Sequence, residues 1–364
     1  MKSIGLYIHI PFCKSKCPYC DFYSLNNITA DFDAYVGAVK KSLASYSVKG
    51  LTADTIYLGG GTPSFIGGGR VSQIVSEAKR LFGAAGEITV ECNPSCSQGD
   101  FFKIIAESGV NRVSLGMQSA VDSERRGLGR LSDRRTVQEC IKNAQNAGID
   151  NISLDIMLGI PGQSEKSLKE TLVFCTDSGV KHISAYILKI EENTVFYRKR
   201  DSLNLPDDDV TADMYLEAVS YLEQNGFNQY EISNFALAGY ESRHNLKYWN
   251  CEEYLGIGPS AHSFFDGKRF YYPRNIEHFM GGGDSVFDSY GGDLQEYIML
   301  RLRLREGLVF CKAKERYPSF DKNGYIKKAA ELKKHGLVEF DSDSLRLTPT
   351  GFLLSNSVIS ELIY

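Results

Sequence analysis

The segment His9–Ser24, HIPFCKSKCPYCDFYS, carries Cys13, Cys17 and Cys20 in a C-x3-C-x2-C array. A thiolate is a soft anionic metal ligand, and each iron of a cubane [4Fe–4S] cluster takes one cysteine. Three thiolates therefore serve three irons and leave the fourth open. The amine and carboxylate of an aminoacyl group would fill that open position as a bidentate ligand. Two other readings use the same residues: a Cys3His zinc site with His9 as fourth ligand, and three incidental buried thiols. Structural zinc usually groups its ligands in two paired knuckles, which this array lacks. The remaining cysteines, Cys92, Cys96, Cys140, Cys175, Cys251 and Cys311, have no cluster spacing.

Such a loop needs a scaffold, and the first half of the chain supplies one. Short β-type runs at 4–10, 55–60, 87–92, 112–118, 151–158 and 182–188 alternate with amphipathic segments at 71–82, 101–108, 135–147 and 167–178. That alternation predicts a parallel sheet with helices outside it. Gly109, Gly148 and Gly179 each end a helical pattern just before a strand, as left-handed caps do. Six such units suit a partial (βα)6 TIM-like barrel, with a flavodoxin-like open sheet as the alternative.

After Lys189 the pattern changes. The acidic run at 201–209 leads into a helix expected over 212–225, and residues 226–292 are aromatic- and glycine-rich loops and short strands. A C-terminal module follows, with helices expected at 294–305 and 323–335 and a hairpin with a four-residue turn, a winged-helix-like α+β arrangement. The expected division is 1–235 for the barrel, 236–293 for an extension carrying HNLKYW, and 294–364 for the C-terminal module. That module's basic and acidic residues nearly balance, so a lid or docking role is expected rather than DNA binding.

Bulk properties narrow the field. The chain has 364 residues, 43% hydrophobic, with a formal net charge of -4. The charge argues against dominant nucleic-acid binding, and no apolar run reaches the ~20 residues of a membrane span, although peripheral membrane contact stays open. Nine cysteines in a chain of this length suit reduced thiols rather than a disulfide scaffold. The first cysteine arrives before an export signal could be completed. A cytoplasmic location is expected.

Polar residues recur at strand ends, the active face of a barrel. Glu91 ends the third strand and Gln118 the fourth, and Asp155 interrupts the apolar fifth, where a carboxylate is costly without a partner. Gly59-Gly60-Gly61-Thr62 ends the second strand, where bare backbone can approach a ligand. Glu91 and Arg130 could instead simply pair with each other.

Cys13-x3-Cys17-x2-Cys20 after the first strand and GGGTPS after the second resemble the radical S-adenosylmethionine (SAM) superfamily. Within it, nearly the whole chain is similar to the oxygen-independent coproporphyrinogen III oxidase family. The resemblance implies a [4Fe–4S] cluster on the three cysteines and SAM on its open iron. It also implies SAM contacts from Tyr7, Tyr19, Phe22, Gly60, Gly61, Thr62, Glu91, Gln118, Arg130 and Asp155. That family contains oxidases of heme (porphyrin) biosynthesis and a heme-chaperone branch, the HemW proteins. The oxidases resemble C-x3-C-x2-C-x-C and carry a long N-terminal extension; here Phe22 replaces the last cysteine and a dozen residues precede Cys13. Where the oxidases are apolar within YLGIGPSAHS, this chain has His262. RHNLKYW, Arg243–Trp249, resembles the HNxxYW signature of the chaperones.

The expectation is therefore a carrier of heme that delivers it to an acceptor protein, with no catalytic residues assigned. His244 or His262 would supply the axial ligand, Tyr248 and Trp249 a flat apolar surface, and Arg243 a propionate contact. A packed, hydrogen-bonded histidine is the plainer reading of His244. The oxidase is the runner-up. Another radical SAM enzyme, such as a methyltransferase, lacks a further motif to support it.

Overall fold

Six strands bury both faces, as near-continuous apolar runs require. They are β1 (Lys2–Ile10), β2 (Leu51–Gly60), β3 (Glu87–Cys92), β4 (Arg112–Gln118), β5 (Asn151–Leu158) and β6 (His182–Ile187), and they pair in that order, all parallel. The computed structural model describes residues 2–26, 30–47 and 50–364. Helices α1 (Phe32–Ser47), α2 (Gly68–Phe82), α3 (Phe101–Ser108), α4 (Asp122–Gly127), α5 (Arg134–Asn146) and α6 (Glu165–Asp177) occupy the connections. Leu6, Ile8 and Ile10 join Val36, Val39 and Leu43 of α1 and Val71, Ile74 and Val75 of α2 in one apolar core. The period-two alternation turns Tyr7 and His9 to the opposite, concave face. Gly109, Gly148 and Gly179 have φ of +104°, +85° and +80°, so each helix is capped where the glycines led one to expect.

Beyond β6 come α7 (Val195–Lys199) and α8 (Asp208–Gln224). The latter starts earlier than the expected residue 212, because the Asp207 side chain caps it by accepting from Val210 N at 2.8 Å and acidic residues favour its first turn. The aromatic and glycine-rich segment is not a separate layer. β7 (Asn228–Gln229) and β8 (Asn234–Ala236) extend the sheet antiparallel beyond β6, so the expected boundary at residue 235 falls inside β8. On the other side β9 (Tyr254–Ile257) pairs parallel with β1, followed antiparallel by β10 (His262–Phe265), β11 (Lys268–Tyr271) and β12 (Val286–Tyr290). Between β8 and β9 lies α9 (Arg243–Trp249), the HNLKYW segment.

The C-terminal module follows the short helix α10 (Ile276–Met280). It contains α11 (Leu294–Arg301), α12 (Phe310–Arg316), α13 (Lys322–Lys334) and a small antiparallel sheet built on the hairpin Val338–Phe340 and Ser344–Leu347. The hairpin turn is Asp341–Asp343, one residue shorter than expected, closed by Asp341 N to Ser344 O at 3.1 Å. The architecture is a partial barrel followed by a compact C-terminal module.

Candidate cofactor-binding site

The cysteine loop is clasped at its base. Cys13 N donates to Leu25 O at 2.9 Å and Leu25 N to Pro11 O at 2.6 Å. Inside, Cys20 N bonds Cys17 O at 3.2 Å and Lys16 Nζ bonds Phe22 O at 2.8 Å. The three thiols are free and partly buried, and all line one cavity of about 670 Å³ at the C-terminal ends of the strands. Burial raises the proton affinity of Cys13 and Cys20. Among the described residues no three His, Cys, Asp or Glu side chains converge on a single ion. A cluster has no such requirement, since each thiolate binds its own iron. His9 is already engaged: Nε2 bonds Tyr23 O at 2.9 Å and Nδ1 lies 3.0 Å from the Tyr7 hydroxyl. The Cys3His zinc reading thus lacks its fourth ligand.

The glycine run packs against the base of this loop. Gly61 N donates to Ile10 O at 2.9 Å and Thr62 N to Phe12 O at 2.8 Å. A Cβ on Gly61 would lie 2.7 Å from Ile10 O, and Gly60, at φ +107°, would drive one into the His9 ring. Only bare backbone fits there. Thr62 Oγ1 lies 3.5 Å from Cys13 Sγ. Glu91 accepts from Tyr57 Oη at 2.9 Å and from Gly60 N at 3.0 Å. Burial nevertheless raises its pKa to about 7.

Asp155 accepts from Ser114 Oγ at 2.8 Å, and its proton affinity is also raised by burial. Arg130 donates to Gly116 O and lies 3.6 Å from Cys17 Sγ, so its contacts go to β4 and the cysteine loop rather than to Glu91. Gln118, a non-glycine residue at φ +74°, turns β4 at the rim, a strained conformation of the kind that collects at functional sites.

Of the residues the resemblance implied for SAM, Tyr19, Phe22, Gly60, Gly61, Thr62, Glu91, Gln118, Arg130 and Asp155 line the cavity with the three cysteines. Phe22 sits at the mouth, 69% exposed. Tyr7 is not part of the lining: it lies one step below, bonded to His9 and tilted against Tyr57 at 6.1 Å. The sequence reading missed Arg112 and Asn245, which also line the cavity. The signal for Arg112 was available, since Arg112, Ser114, Gly116 and Gln118 share one parity of β4.

The HNLKYW segment is the main departure from expectation. His244 is buried inside the barrel, with Nδ1 2.8 Å from Thr55 Oγ1 and Nε2 2.7 Å from Tyr248 Oη. Its ring stacks on Tyr57 at 5.2 Å, and burial, with Lys247 nearby, lowers its pKa to about 3. Glu87 accepts the backbone N–H of Arg243 at 3.1 Å and of His244 at 3.0 Å. Tyr248 packs edge-on against Tyr254 of β9 at 4.5 Å. The helix is thus a plug in the base of the barrel, and His244 has the surroundings of a packed, hydrogen-bonded histidine: both ring nitrogens are engaged and the ring is buried. Trp249 is partly buried, and the exposed Arg243 reaches back toward Gly86. His262 differs. It is exposed on β10 and stacked on Tyr271 at 5.1 Å, and its ring makes no hydrogen bond among the described residues. Register through Phe264, Tyr254 and Gly5 puts it on the sheet face that carries Tyr7, outside the cavity lining but on the same concave side.

Comparisons with known proteins agree with this geometry. Residues 7–175 match the model of the radical SAM superfamily and residues 293–354 that of the HemN C-terminal domain. The chain is 32% identical to the heme chaperone HemW of Lactococcus lactis, covering 100% of this chain and 98% of that protein. It is 32% identical to the Bacillus subtilis protein of the same name, over 100% and 99%. The corresponding figures for the Escherichia coli protein are 36% identity over 84% of each chain. Among solved structures, coproporphyrinogen III oxidase (HemN) of Escherichia coli superposes with a TM-score of 0.85 at 20% identity, covering 100% of this chain and 90% of that one, which supports the fold. A three-thiol loop on a partial barrel, a bare glycine run beside it and full-length kinship lead to one assignment: the chain belongs to the HemW family of the radical SAM superfamily.

Proposed function

We propose that this protein is a heme carrier that also holds a [4Fe–4S] cluster and SAM, and that it hands heme to an acceptor protein. Full-length kinship to proteins named heme chaperone HemW is the observation that carries this reading. In this reading Cys13, Cys17 and Cys20 hold the cluster. The Gly60–Thr62 backbone, Glu91, Gln118, Arg130 and Asp155 hold SAM, with Tyr19 and Phe22 at its aromatic side. When bound, such a cluster supplies a single electron to a sulfonium. The chain's own contribution would be to ligate the cluster through the three thiolates, to offer SAM the Gly60–Thr62 backbone and the Glu91 carboxyl, and to shield both inside the cavity.

For heme, exposure and a stacked aromatic neighbour favour His262 over His244 as axial ligand. Tyr271 then takes the role of flat partner that was expected of Tyr248 and Trp249. The C-terminal module, residues 294–364, is assigned to docking or lid duty, and the acceptor is a protein. No helix among the described residues is long and apolar enough to cross a membrane; we assign the protein to the cytoplasm.

The test is a heme titration of the reconstituted protein under anaerobic, reducing conditions, with coproporphyrinogen III decarboxylation assayed in parallel. Binding near one heme per chain, a Soret band altered in His262→Ala, and no decarboxylation above background are expected. Robust decarboxylation, or heme spectra indifferent to His262, would overturn the carrier reading in favour of the oxidase or another ligand.

A further inference from the structure

The cavity contains a cation that none of the assignments above uses. Arg112 opens β4, is 2% exposed, and lines the cavity together with Glu91, Ser114, Asp155 and Tyr186. Its Nε is buried without a hydrogen-bond partner. Among the described residues its guanidinium makes no hydrogen bond and no ion pair within 4.0 Å. Buried guanidinium groups are ordinarily saturated, because their N–H donors have left water and must find acceptors.

The carboxylates around it are turned elsewhere. Glu91 is held by Tyr57 and Gly60, Asp155 by Ser114 and Ser153, and Glu87 by the backbone of Arg243 and His244. Thr89, the register partner of Arg112 across β3 and β4, also has a buried hydroxyl without a partner. The Arg112 guanidinium therefore presents unused donors to the cavity. The terminal nitrogens of Arg130 are committed to Gly116 O and Cys17 Sγ, which leaves its Nε alone without a partner, and the exposed Lys16 and Arg274 of the lining are engaged by Phe22 O and Asp21.

We propose that the floor of the cavity is a carboxylate-binding site with Arg112 as its anchor. A carboxylate matches the guanidinium fork in shape. A monoanion is favoured over a phosphate dianion because Glu91 and Asp155 line the same space. The group has three possible bearers: SAM itself, a heme propionate, or a separate small organic acid. The site's chemistry is the same for each, and it does not depend on heme being the cargo.

The test uses the full-length protein titrated with sodium acetate, read by saturation-transfer NMR, in wild type, Arg112→Gln and Arg112→Lys. Saturable binding in wild type is expected, with the dissociation constant rising at least about tenfold in Arg112→Gln, equivalent to ~1.4 kcal/mol. Arg112→Lys, which keeps the charge and loses the fork, should fall between them at an unchanged melting temperature, and it carries the test if Arg112→Gln fails to fold. Phosphate should compete poorly. Competition by SAM assigns the carboxylate to the cofactor, competition by heme assigns it to a propionate, and competition by neither assigns it to a separate acid. SAM binding in wild type, measured alongside, separates failure of this site from failure of the cavity reading. No saturable acetate binding in wild type, or equal affinity in all three proteins, would overturn the proposal.

Discussion

At Glu91 burial and hydrogen bonding pull in opposite directions. Burial, reinforced by the negative charge of Asp155, raises its pKa to about 7, although the Tyr57 hydroxyl and the Gly60 N–H both favour the ionised form. The folded-state value lies above the unfolded value of 4.5. Its contribution to stability is therefore intact below the unfolded pKa, declines as pH rises, and is lost as pH passes the folded pKa. Glu91→Gln cannot ionise, so without bound ligand it should gain on wild type between about pH 5 and about pH 8, by ~1–2 kcal/mol. That estimate is discounted for the open cavity, and denaturation midpoints at the two pH values measure it. A gap that stays constant, or widens in the opposite direction, would contradict this account. The neighbouring thiols make a simpler prediction. Cys17→Ala should lose iron and sulfide on reconstitution. Cys92→Ala should retain both, because that thiol is buried and donates to Val90 O at 3.6 Å. Full iron content in Cys17→Ala would end the cluster assignment.

A short helix such as α9 owes its place to what it plugs. His244→Ala would leave the Thr55 hydroxyl and the Tyr248 phenol unpartnered and open a void against Tyr57. The expected cost is about 2–4 kcal/mol of stability, with heme absorbance unchanged. His262→Ala should do the reverse, shifting the Soret band while stability changes by less than ~0.5 kcal/mol, as exposed substitutions usually do. Thermal melts and heme spectra of the two variants decide between them. A Soret change confined to His244→Ala would restore the ligand role that its aromatic neighbours suggested. Those neighbours explain why sequence could not settle the matter: a histidine flanked by Tyr248 and Trp249 suits a macrocycle and a packed core equally well. The six parallel strands were legible because burial on both faces writes itself as unbroken apolar runs. Short strands were expected within 226–292, but the positions of β9 to β12 were not legible, since four- and five-residue strands such as Tyr254–Ile257 are identified by their pairing with β1 and one another, which no local pattern records. Arg112 lay in plain view, but a lone cation in a strand acquires meaning only once its neighbours prove to be committed elsewhere.

Across the whole molecule, the C-terminal module holds the end of the barrel's plug. Asn250 and Cys251 follow directly on α9. Arg316 donates to Asn250 O at 3.0 Å and to Cys251 O at 2.8 Å, while the buried Arg301 reaches the Asn250 side chain and Glu306 and donates to Gly307 O at 3.1 Å and 2.9 Å. Ile232 N to Arg303 O and Arg305 N to Tyr230 O, both 3.0 Å, bind the segment after α11 to the loop between β7 and β8. Arg301 is therefore a rivet between the two parts, and its removal leaves the Gly307 carbonyl and the Asn250 amide short of a donor. Arg301→Ala should cost about 2–4 kcal/mol. Its effect should spread beyond its own loop, because the turn after α9 loses an anchor. Hydrogen exchange should quicken at Tyr248–Cys251 and in the C-terminal sheet, while β1 to β6 keep their protection, since that sheet buries its own core. Faster exchange confined to Glu306 and Gly307 would mean that Arg301 is no rivet, and the HNLKYW plug would then owe its position to Glu87, Thr55 and Tyr254 and to the Arg316 contacts at its end.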